Sequence, residues 1–255
     1  MAAITLNGRL LEAEAGEKVL DVARRNGIPV PTLCHHPGLS AYGACRLCLV
    51  EIKSGFRPGL VSSCTMPAID GLVAETESPT VKSARKLVAE LLLARAPQSP
   101  EIRALAAGLG AEPTAIPKKD ELCILCGRCV RACSALGVNA VSFVRRGVKR
   151  RLAVPFDKPS EHCIACQACV SVCPTGAIKA KITHEEVEMV EWQARRELQR
   201  CAVCQTPFVT AGQRDLVERT VEAGHQPLGA LCPKCRRLET AKAYSMWEPA
   251  SGVSG

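Results

Sequence analysis

The sequence predicts an α+β fold made of small modules that metal-bound cysteines hold together, in place of one large apolar core. The 255 residues include 16 cysteines, whereas aromatic residues make up only 3% of the chain. Small modules with so few large side chains need other stabilising links, such as disulfides or bound metals. The cysteines fall into four groups of four. Because many neighbouring cysteines have only two residues between them, which suits disulfide geometry poorly, we interpret the thiols as metal ligands in a reducing compartment.

Residues 1–79 are predicted to form a small sheet with one helix packed across it. The pair Asn7-Gly8 between two apolar runs is typical of a tight β-hairpin. "AGEKVLDVARRNG" has the spacing of a short helix, and "LVEIKSG" is predicted to be a strand. The first cysteine group lies in this module and comprises Cys34, Cys45, Cys48 and Cys64.

Residues 80–119 are predicted to be a helical connector. Apolar side chains recur at helical spacing through "TVKSARKLVAELLLA". A second short helix is expected in "EIRALAAGLG", between proline-containing segments. The connector contains neither cysteine nor histidine, so it offers no further thiolate or imidazole ligand.

Residues 120–183 contain an internal repeat, in which "LCILCGRCVRACSALGVNAV" aligns with "HCIACQACVSVCPTGAIKAK". A C-x2-C-x2-C run delivers three thiolates to a cubic [4Fe–4S] core, and in bacterial ferredoxins the fourth cysteine ligates the other cluster. This pattern predicts two crossed ligand sets. The first set is Cys123, Cys126, Cys129 and Cys173, and the second is Cys133, Cys163, Cys166 and Cys169.

The segment "RRGVKRRLAVPF" between the two halves of the repeat is predicted to be a hairpin with a basic tip. Such a tip is either a solvated turn or a docking surface for an acidic partner.

Residues 184–200 are predicted to form a linker helix, in which Glu191 and Arg195 have the i,i+4 spacing of an ion pair. Residues 201–240 are predicted to be a zinc-ribbon-like module, because two C-x2-C knuckles around a spacer are typical of tetrahedral sites. Zinc is favoured there, with mononuclear iron or a further iron–sulfur cluster as alternatives. Residues 241–255 are predicted to be a disordered tail. The fourth cysteine group comprises Cys201, Cys204, Cys232 and Cys235.

The segment "IPVPTLCHHPGLSAYGACRLCLVEI" resembles the N-terminal [2Fe–2S] domain of the large iron–sulfur subunit of respiratory complex I. Related domains occur in NAD-linked formate dehydrogenases and in hydrogenases, including diaphorase subunits. The resemblance implies a β-grasp fold for residues 1–79, with the first cysteine group holding a [2Fe–2S] cluster. Adjacent His35 and His36 raise a Rieske-type alternative, but four cysteines already complete the ligand set.

The resemblance continues through "VKSARKLVAELLLARAP" and covers most of residues 1–180, and then it departs from the family pattern. Relatives usually carry a His/Cys₃ motif for another [4Fe–4S] cluster after this helix, and the connector has no such residues. We therefore expect a shortened relative in another complex. "CQTPFVT…LCPKCRR" resembles a tail of some ferredoxin-like hydrogenase and formate-hydrogenlyase subunits, for which we expect a structural clip that helps dock a partner.

The sequence shows no catalytic residues and no convincing nucleotide site, phosphate loop or nucleophile motif. The formal net charge of +8 raises an alternative, namely an iron–sulfur and zinc-stapled regulatory or nucleic-acid-binding protein. Metal binding deprotonates cysteines, however, so the basic excess compensates bound thiolates. We expect no nucleic-acid partner.

The expected function is that of a non-catalytic electron-transfer subunit of a cytoplasmic oxidoreductase complex. Its cofactors would be one [2Fe–2S] cluster, two [4Fe–4S] clusters and one zinc ion. By resemblance, its partners would be a subunit that handles flavin and NAD(P)H and a catalytic metalloenzyme subunit. No apolar stretch reaches the roughly 18 to 20 residues of a membrane span, so membrane association is expected only peripherally, through partners.

Overall fold

The computed structural model describes residues 1–114, 121–220 and 231–245. The chain divides into two compact units. The first unit comprises Met1–Gly137, Val141–Ala153 and Ala168–Ile178, and the second comprises Val138–Ala140, Val154–Gln167 and Lys179–Gly255. None of the helices in the described part of the chain has the length and apolar character required to cross a membrane.

The first unit begins with a five-stranded sheet that one helix covers. The strands are β1 (Ala2–Leu6), β2 (Arg9–Ala13), β3 (Leu49–Ser54), β4 (Gly59–Ser62) and β5 (Val73–Glu75), and the helix is α1 (Val19–Arg25). Their order in the sheet is β2-β1-β5-β3-β4. Strand β1 pairs antiparallel with β2 and parallel with β5, so the sheet is mixed.

The predicted hairpin, helix and strand of the N-terminal module are all present. Asn7 and Gly8 both have positive φ values, of 50° and 77°, as a two-residue hairpin turn requires. The core beneath α1 is aliphatic, because the helix buries Val19, Leu20 and Val22 against the sheet.

Two further helices follow the sheet, as the sequence predicts. They are α2 (Pro79–Arg95) and α3 (Pro100–Gly108). Each begins at a Ser-Pro pair, in which the serine hydroxyl accepts a hydrogen bond from a backbone N–H of the first turn and proline occupies the first helical position. Residues 115–119 of the predicted connector lie outside the described residues.

Buried Arg85 fastens α2 to the segment that carries two of the predicted ligands. Its side chain is 2% exposed. Its Nε donates to the carbonyl of Leu47 at 3.0 Å and its Nη2 to that of Leu49 at 2.8 Å, while Nη1 pairs with Glu77 at 2.8 Å. The buried charge is thus fully partnered, as burial of a guanidinium requires.

The rest of the first unit contains two short helices and a hairpin. They are α4 (Arg128–Ala135), α5 (Ala168–Ser171), and β6 (Ser142–Val144) paired antiparallel with β7 (Arg151–Ala153). The basic stretch between the two halves of the repeat therefore forms the tip of a hairpin, as predicted.

The second unit contains a four-stranded antiparallel sheet of order β11-β10-β9-β8, followed by two helices. The elements are β8 (Ala180–Ile182), β9 (Glu186–Met189), β10 (Ala194–Arg200), β11 (Pro207–Thr210), α6 (Ala211–Thr220) and α7 (Pro233–Ser245). Helix α7 continues through residues 241–245 of the predicted tail, and the remaining tail residues lie outside the described residues.

The predicted linker helix over 184–200 is wrong, because this segment forms β9, a short turn and β10. In β9, Val187 and Met189 alternate with less buried glutamates, which is the period of a strand. Arg195 lies opposite Glu188 across the two strands, with Nη2 and Oε1 3.0 Å apart. The predicted helical pair of Glu191 and Arg195 is therefore replaced by a cross-strand pair.

We expect Arg85→Met to loosen α2 and β3 by about 2 kcal/mol, because it leaves two backbone carbonyls and a carboxylate without their donor. Hydrogen–deuterium exchange on the metal-loaded chain should show amides of both elements exchanging roughly 30-fold faster. Lys82→Met is the matched control, since Lys82 lies on the same helix and its side chain is 64% exposed. Exchange at the wild-type rate in Arg85→Met would contradict this role.

Candidate metal centres

The four cysteines of the first group lie together, buried between the sheet and the loop that precedes β3. Cys34, Cys48 and Cys64 are at most 1% exposed and Cys45 is 8% exposed. The backbone N–H of Cys45 donates to the sulfur of Cys34 at 3.4 Å. Cys34 and Cys45 thus meet across ten intervening residues, as a shared ligand set requires.

The loop that carries Cys45 depends on a glycine. Gly43 has a φ of 69°, which is costly for residues with a Cβ. A Cβ at this position would also lie 3.2 Å from Cγ2 of Thr65. A side chain at position 43 would therefore strain the backbone and press against Thr65, beside Cys64.

Hydrogen bonds among the four thiols lower the pKa of two of them and raise the pKa of the other two. Thiols of Cys45 and then Cys64 donate to Cys34 and lower its pKa to about 2. A bond from Cys64 lowers the pKa of Cys48 to about 6. Bonding to Cys34 raises the pKa of both Cys45 and Cys64. Such mutually bonded, buried thiols form a donor set for a cationic metal–sulfur core, which releases all four protons when it binds.

A second set of cysteines surrounds a small cavity in the first unit. Cys123, Cys126, Cys129 and Cys173 all line it. The other lining residues are Ile124, Gly127, Arg128, Leu152, Thr175, Ala177 and Ile178. Cys173 therefore lies on the same cavity as the three cysteines of the other half of the repeat.

This cavity suits a polynuclear metal core. Burial raises the pKa of the Cys123, Cys126 and Cys129 thiols, so a positive core is needed to hold them as thiolates. The Nε of Arg128, which lines the cavity, is buried without a hydrogen-bond partner in the described part of the chain. An anionic sulfur cage held by these cysteines would supply the acceptor that this donor lacks.

The remaining cysteines of the repeat are divided between the two units. Cys133 lies on α4 and Cys169 on α5, in the first unit. Cys163 and Cys166 belong to the second unit, in the segment Val154–Gln167. Their grouping as one ligand set stays a prediction from the repeat.

One apolar cluster joins the first two sites. Its buried members include Cys34 and Cys45 of the first group and Cys126 of the second, together with Leu33, Leu47, Ala96, Ile102 and Ile124. Side chains of α2 and α3 pack against it. Ligands of two predicted centres thus share a single water-poor core.

The fourth group forms a compact site in the second unit. The sulfurs of Cys201, Cys204, Cys232 and Cys235 all lie within 4.8 Å of one another. The backbone N–H of Cys204 is the main cause that lowers the pKa of Cys201 to about 6, and the N–H of Cys232 also donates to its sulfur at 3.3 Å. Four convergent thiols with N–H···S bonds at the knuckles fit one tetrahedral metal ion.

Elements next to this four-cysteine site contact the loop between Cys163 and Cys166. The Thr210 hydroxyl donates to the carbonyl of Ile164 at 2.7 Å. Gly212 lies so close that a Cβ there would come within 2.5 Å of Cγ2 of Ile164. The start of α6 is therefore fitted to the loop between these two cysteines.

Strand β10 also contacts the chain just before Cys163. Nη2 of Arg196 donates to the carbonyls of Ser160 at 2.9 Å and Glu161 at 2.8 Å. The sequence gives little signal for this contact, because Arg196 falls in the segment predicted to be a helix.

The sequence analysis also missed two arginines of the repeat, Arg128 and Arg131. Both lie on α4 and donate to backbone carbonyls of the loop that follows Cys34. Their acceptors are more than 90 positions away, so no local pattern reveals the contact. Arginine between cysteines of a metal motif is the one available signal.

Residues 1–79 match the family described as "2Fe-2S iron-sulfur cluster binding domain", and residues 122–177 match the family described as "4Fe-4S dicluster domain". The chain therefore carries a [2Fe–2S] domain followed by a domain for two [4Fe–4S] clusters in a mixed α+β fold. These matches agree with the cofactors predicted for the first three cysteine groups.

Relatives confirm the resemblance. An NADH-quinone oxidoreductase subunit of Rhizobium meliloti is 34% identical over 70% of this chain and 24% of its own length. An NADP-reducing hydrogenase subunit, HndD of Solidesulfovibrio fructosivorans, is 30% identical over 93% of this chain and 45% of its own. The chain thus spans less than half the length of these curated relatives.

A solved structure is similar as well. A chain of an NAD⁺-reducing [NiFe]-hydrogenase in the H₂-reduced state superposes with a TM-score of 0.54 and 29% identity, over 60% of this chain and 75% of that one.

We expect Gly212→Ala to weaken metal retention by the second half of the repeat, because the added Cβ collides with Ile164 between Cys163 and Cys166. From the anaerobically prepared variant, a chelator should remove the iron bound by Cys163 and Cys166 at least about fivefold faster than from the wild-type chain. Gly108→Ala, where a Cβ meets nothing within 4 Å, is the control. Equal rates of iron loss would show that this contact does not support the loop.

Proposed function

We propose that this chain is an electron-transfer iron–sulfur subunit of a multi-subunit oxidoreductase. It would relay electrons between a flavin-containing module that handles NAD(P)H and a catalytic metalloenzyme subunit. The single observation that carries this proposal is the apolar cluster in which ligands of the first two predicted centres lie side by side. A shared water-poor core suits electron exchange between centres, whereas purely structural metal sites have no need of one.

The proposed ligand sets follow the cysteine groups. Cys34, Cys45, Cys48 and Cys64 would hold the [2Fe–2S] cluster, and the cavity supports Cys123, Cys126, Cys129 and Cys173 for one [4Fe–4S] cluster. Cys133, Cys163, Cys166 and Cys169 would hold the other. When bound, each cluster accepts and releases one electron at a time.

The chain's own residues would hold these groups, keep water away and supply hydrogen bonds. Buried Leu47 and Ile124 cover the ligands of the first two sites. The guanidinium of Arg128 places positive charge on the wall of the cavity. Burial and nearby donors are the means by which a protein adjusts the reduction potential of such centres.

At the four-cysteine site we propose zinc in a zinc-ribbon-like module, residues 201–240, with mononuclear iron as the alternative. Three of the four cysteines are buried and Cys204 is exposed, which suits a closed structural site. Its proposed role is to support the neighbouring loop of the repeat, through Thr210 and Gly212, as well as to dock a partner. Residues 1–79 are proposed to be a β-grasp domain, since α1 crosses a mixed sheet.

The proposed partners follow from the relatives, which are an NADH-quinone oxidoreductase subunit and an NADP-reducing hydrogenase subunit. A hydrogenase, a formate dehydrogenase or another molybdenum or tungsten enzyme would provide the catalytic subunit. We propose a cytoplasmic location, because sixteen cysteines that serve as metal ligands are favoured in a reducing compartment.

The anaerobically purified chain should contain about ten irons and one zinc, and dithionite should give EPR signals of one [2Fe–2S] and two [4Fe–4S] centres. With NADH, formate or hydrogen and a dye acceptor, the isolated chain should show no turnover. Robust turnover would make it an enzyme in its own right. Tight DNA binding with a steep salt dependence would instead favour the regulatory alternative.

The crossed ligand sets can be tested by single substitutions in the fourth position of each half. Cys173→Ala should abolish the cluster held by Cys123, Cys126 and Cys129, and Cys133→Ala should abolish the other. Mössbauer spectra of variants reconstituted with ⁵⁷Fe count the irons that are lost. Because the Arg128 side chain lines the cavity of the first of these sites, Arg128→Lys should change the spectrum of the cluster that Cys133→Ala retains. The uncrossed assignment predicts the reverse pattern.

A further inference from the structure

Two arginines of α4 hold the loop that follows Cys34. Arg131 donates from Nη2 to the carbonyl of Cys34 and from Nη1 to the carbonyl of Ser40. Arg128 donates from Nη2 to the carbonyl of His35. Residues 34–42 form no helix or strand. The carbonyl of His36 accepts from the N–H of Leu39 within the loop, whereas the carbonyls of Cys34, His35 and Ser40 take their donors from the two arginines.

An aromatic contact completes this attachment. The guanidinium carbon of Arg131 lies 5.4 Å from the centroid of the Tyr42 ring, within the range of a cation–π interaction. Arg150 of the β6–β7 hairpin donates to the Tyr42 hydroxyl at 3.2 Å. The far end of the loop is thereby held from two sides.

A glycine makes room for the Tyr42 ring. Gly127 lies between Cys126 and Arg128 and has a φ of 72°. A Cβ at this position would lie 3.2 Å from Cε1 of Tyr42, closer than a side chain tolerates without displacing the ring. The backbone of the [4Fe–4S] motif is thus shaped to receive the loop of the [2Fe–2S] motif.

Arg131 lies between proposed cluster ligands in the sequence and also binds the backbone of another proposed ligand. It lies between Cys129 and Cys133 on α4, and its guanidinium binds the carbonyl of Cys34. Cys129, Cys133 and Cys34 are proposed ligands of three different clusters. A single side chain therefore connects ligand residues of all three.

We propose that Arg131, assisted by Arg128, is a positioning residue that fixes the [2Fe–2S] loop against α4 and so sets the spacing of the redox centres. This inference rests on the proposed function. The planar guanidinium donates to two carbonyls while its face contacts an aromatic ring, and the compact ammonium of lysine cannot do all three at once. Lysine keeps the positive charge but cannot make all of these contacts, so Arg131→Lys tests the contacts independently of the charge.

The experiment compares the full chain, purified anaerobically, with Arg131→Lys and Arg131→Gln. Spin–spin interaction between the reduced [2Fe–2S] and [4Fe–4S] centres, measured by EPR, should weaken in both variants while iron content stays at the wild-type level. Amides of residues 34–42 should exchange about tenfold faster or more in both. Loss of charge in Arg131→Gln alone should lower the potential of the nearby centres, because a negative reduced cluster then lacks a cation.

Arg146→Lys is the matched control, since Arg146 is exposed in the β6–β7 connection. It should leave both the magnetic interaction and the exchange rates unchanged. Tyr42→Leu provides a milder test, because its ring is partly exposed, and it should weaken the interaction in the same direction but less.

The possible outcomes distinguish the positioning role of Arg131 from the proposed electron-transfer function. Wild-type magnetic interaction and exchange in Arg131→Lys and Tyr42→Leu would overturn the positioning role and leave the proposed function intact. Loss of the interaction in Arg131→Gln with full retention in Arg131→Lys would also overturn it, since charge alone would then suffice. A wild-type chain without iron or EPR signals would overturn the proposed function itself, and this inference with it.

Discussion

The structure depends on keeping thiolates out of water. A buried thiolate without a counter-charge is costly, and burial raises the pKa of Cys123, Cys126 and Cys129 for that reason. A cationic core would supply that counter-charge, and we therefore expect metal binding to stabilise the fold around this site.

Side chains from the elements around the sites donate hydrogen bonds to backbone carbonyls of the irregular loops that carry the ligands. Arg85 binds carbonyls beside Cys48, and Arg131 binds the carbonyl of Cys34. In the second unit, Arg196 and Thr210 do the same on either side of Cys163. Ligand loops cannot satisfy their backbone groups within a helix or strand, so long side chains from neighbouring elements take over. Most of these side chains are arginines, whose several donors fit this task.

Local signals were sufficient to predict part of this fold and its sites. The Asn7-Gly8 turn, the Ser-Pro starts of α2 and α3 and the cysteine spacings each act over a few residues. The segment 184–200 was mistaken for a helix because its apolar residues fit either period, and pairing with β8 and β11 decides the outcome. The contacts of Arg128, Arg131 and Arg196 could not be predicted, since their acceptors are distant in sequence and are backbone carbonyls, which have no residue-specific pattern.

The bond from Arg131 to the carbonyl of Cys34 spans 97 positions, and this distance has a consequence for biosynthesis. A ribosome adds roughly 5 to 20 residues per second, so about 5 to 20 seconds separate the synthesis of the loop from that of the helix that holds it. During this interval the nascent thiols of the first group lack their final support. The loop that follows Cys34 can therefore make this contact only after α4 has been synthesised.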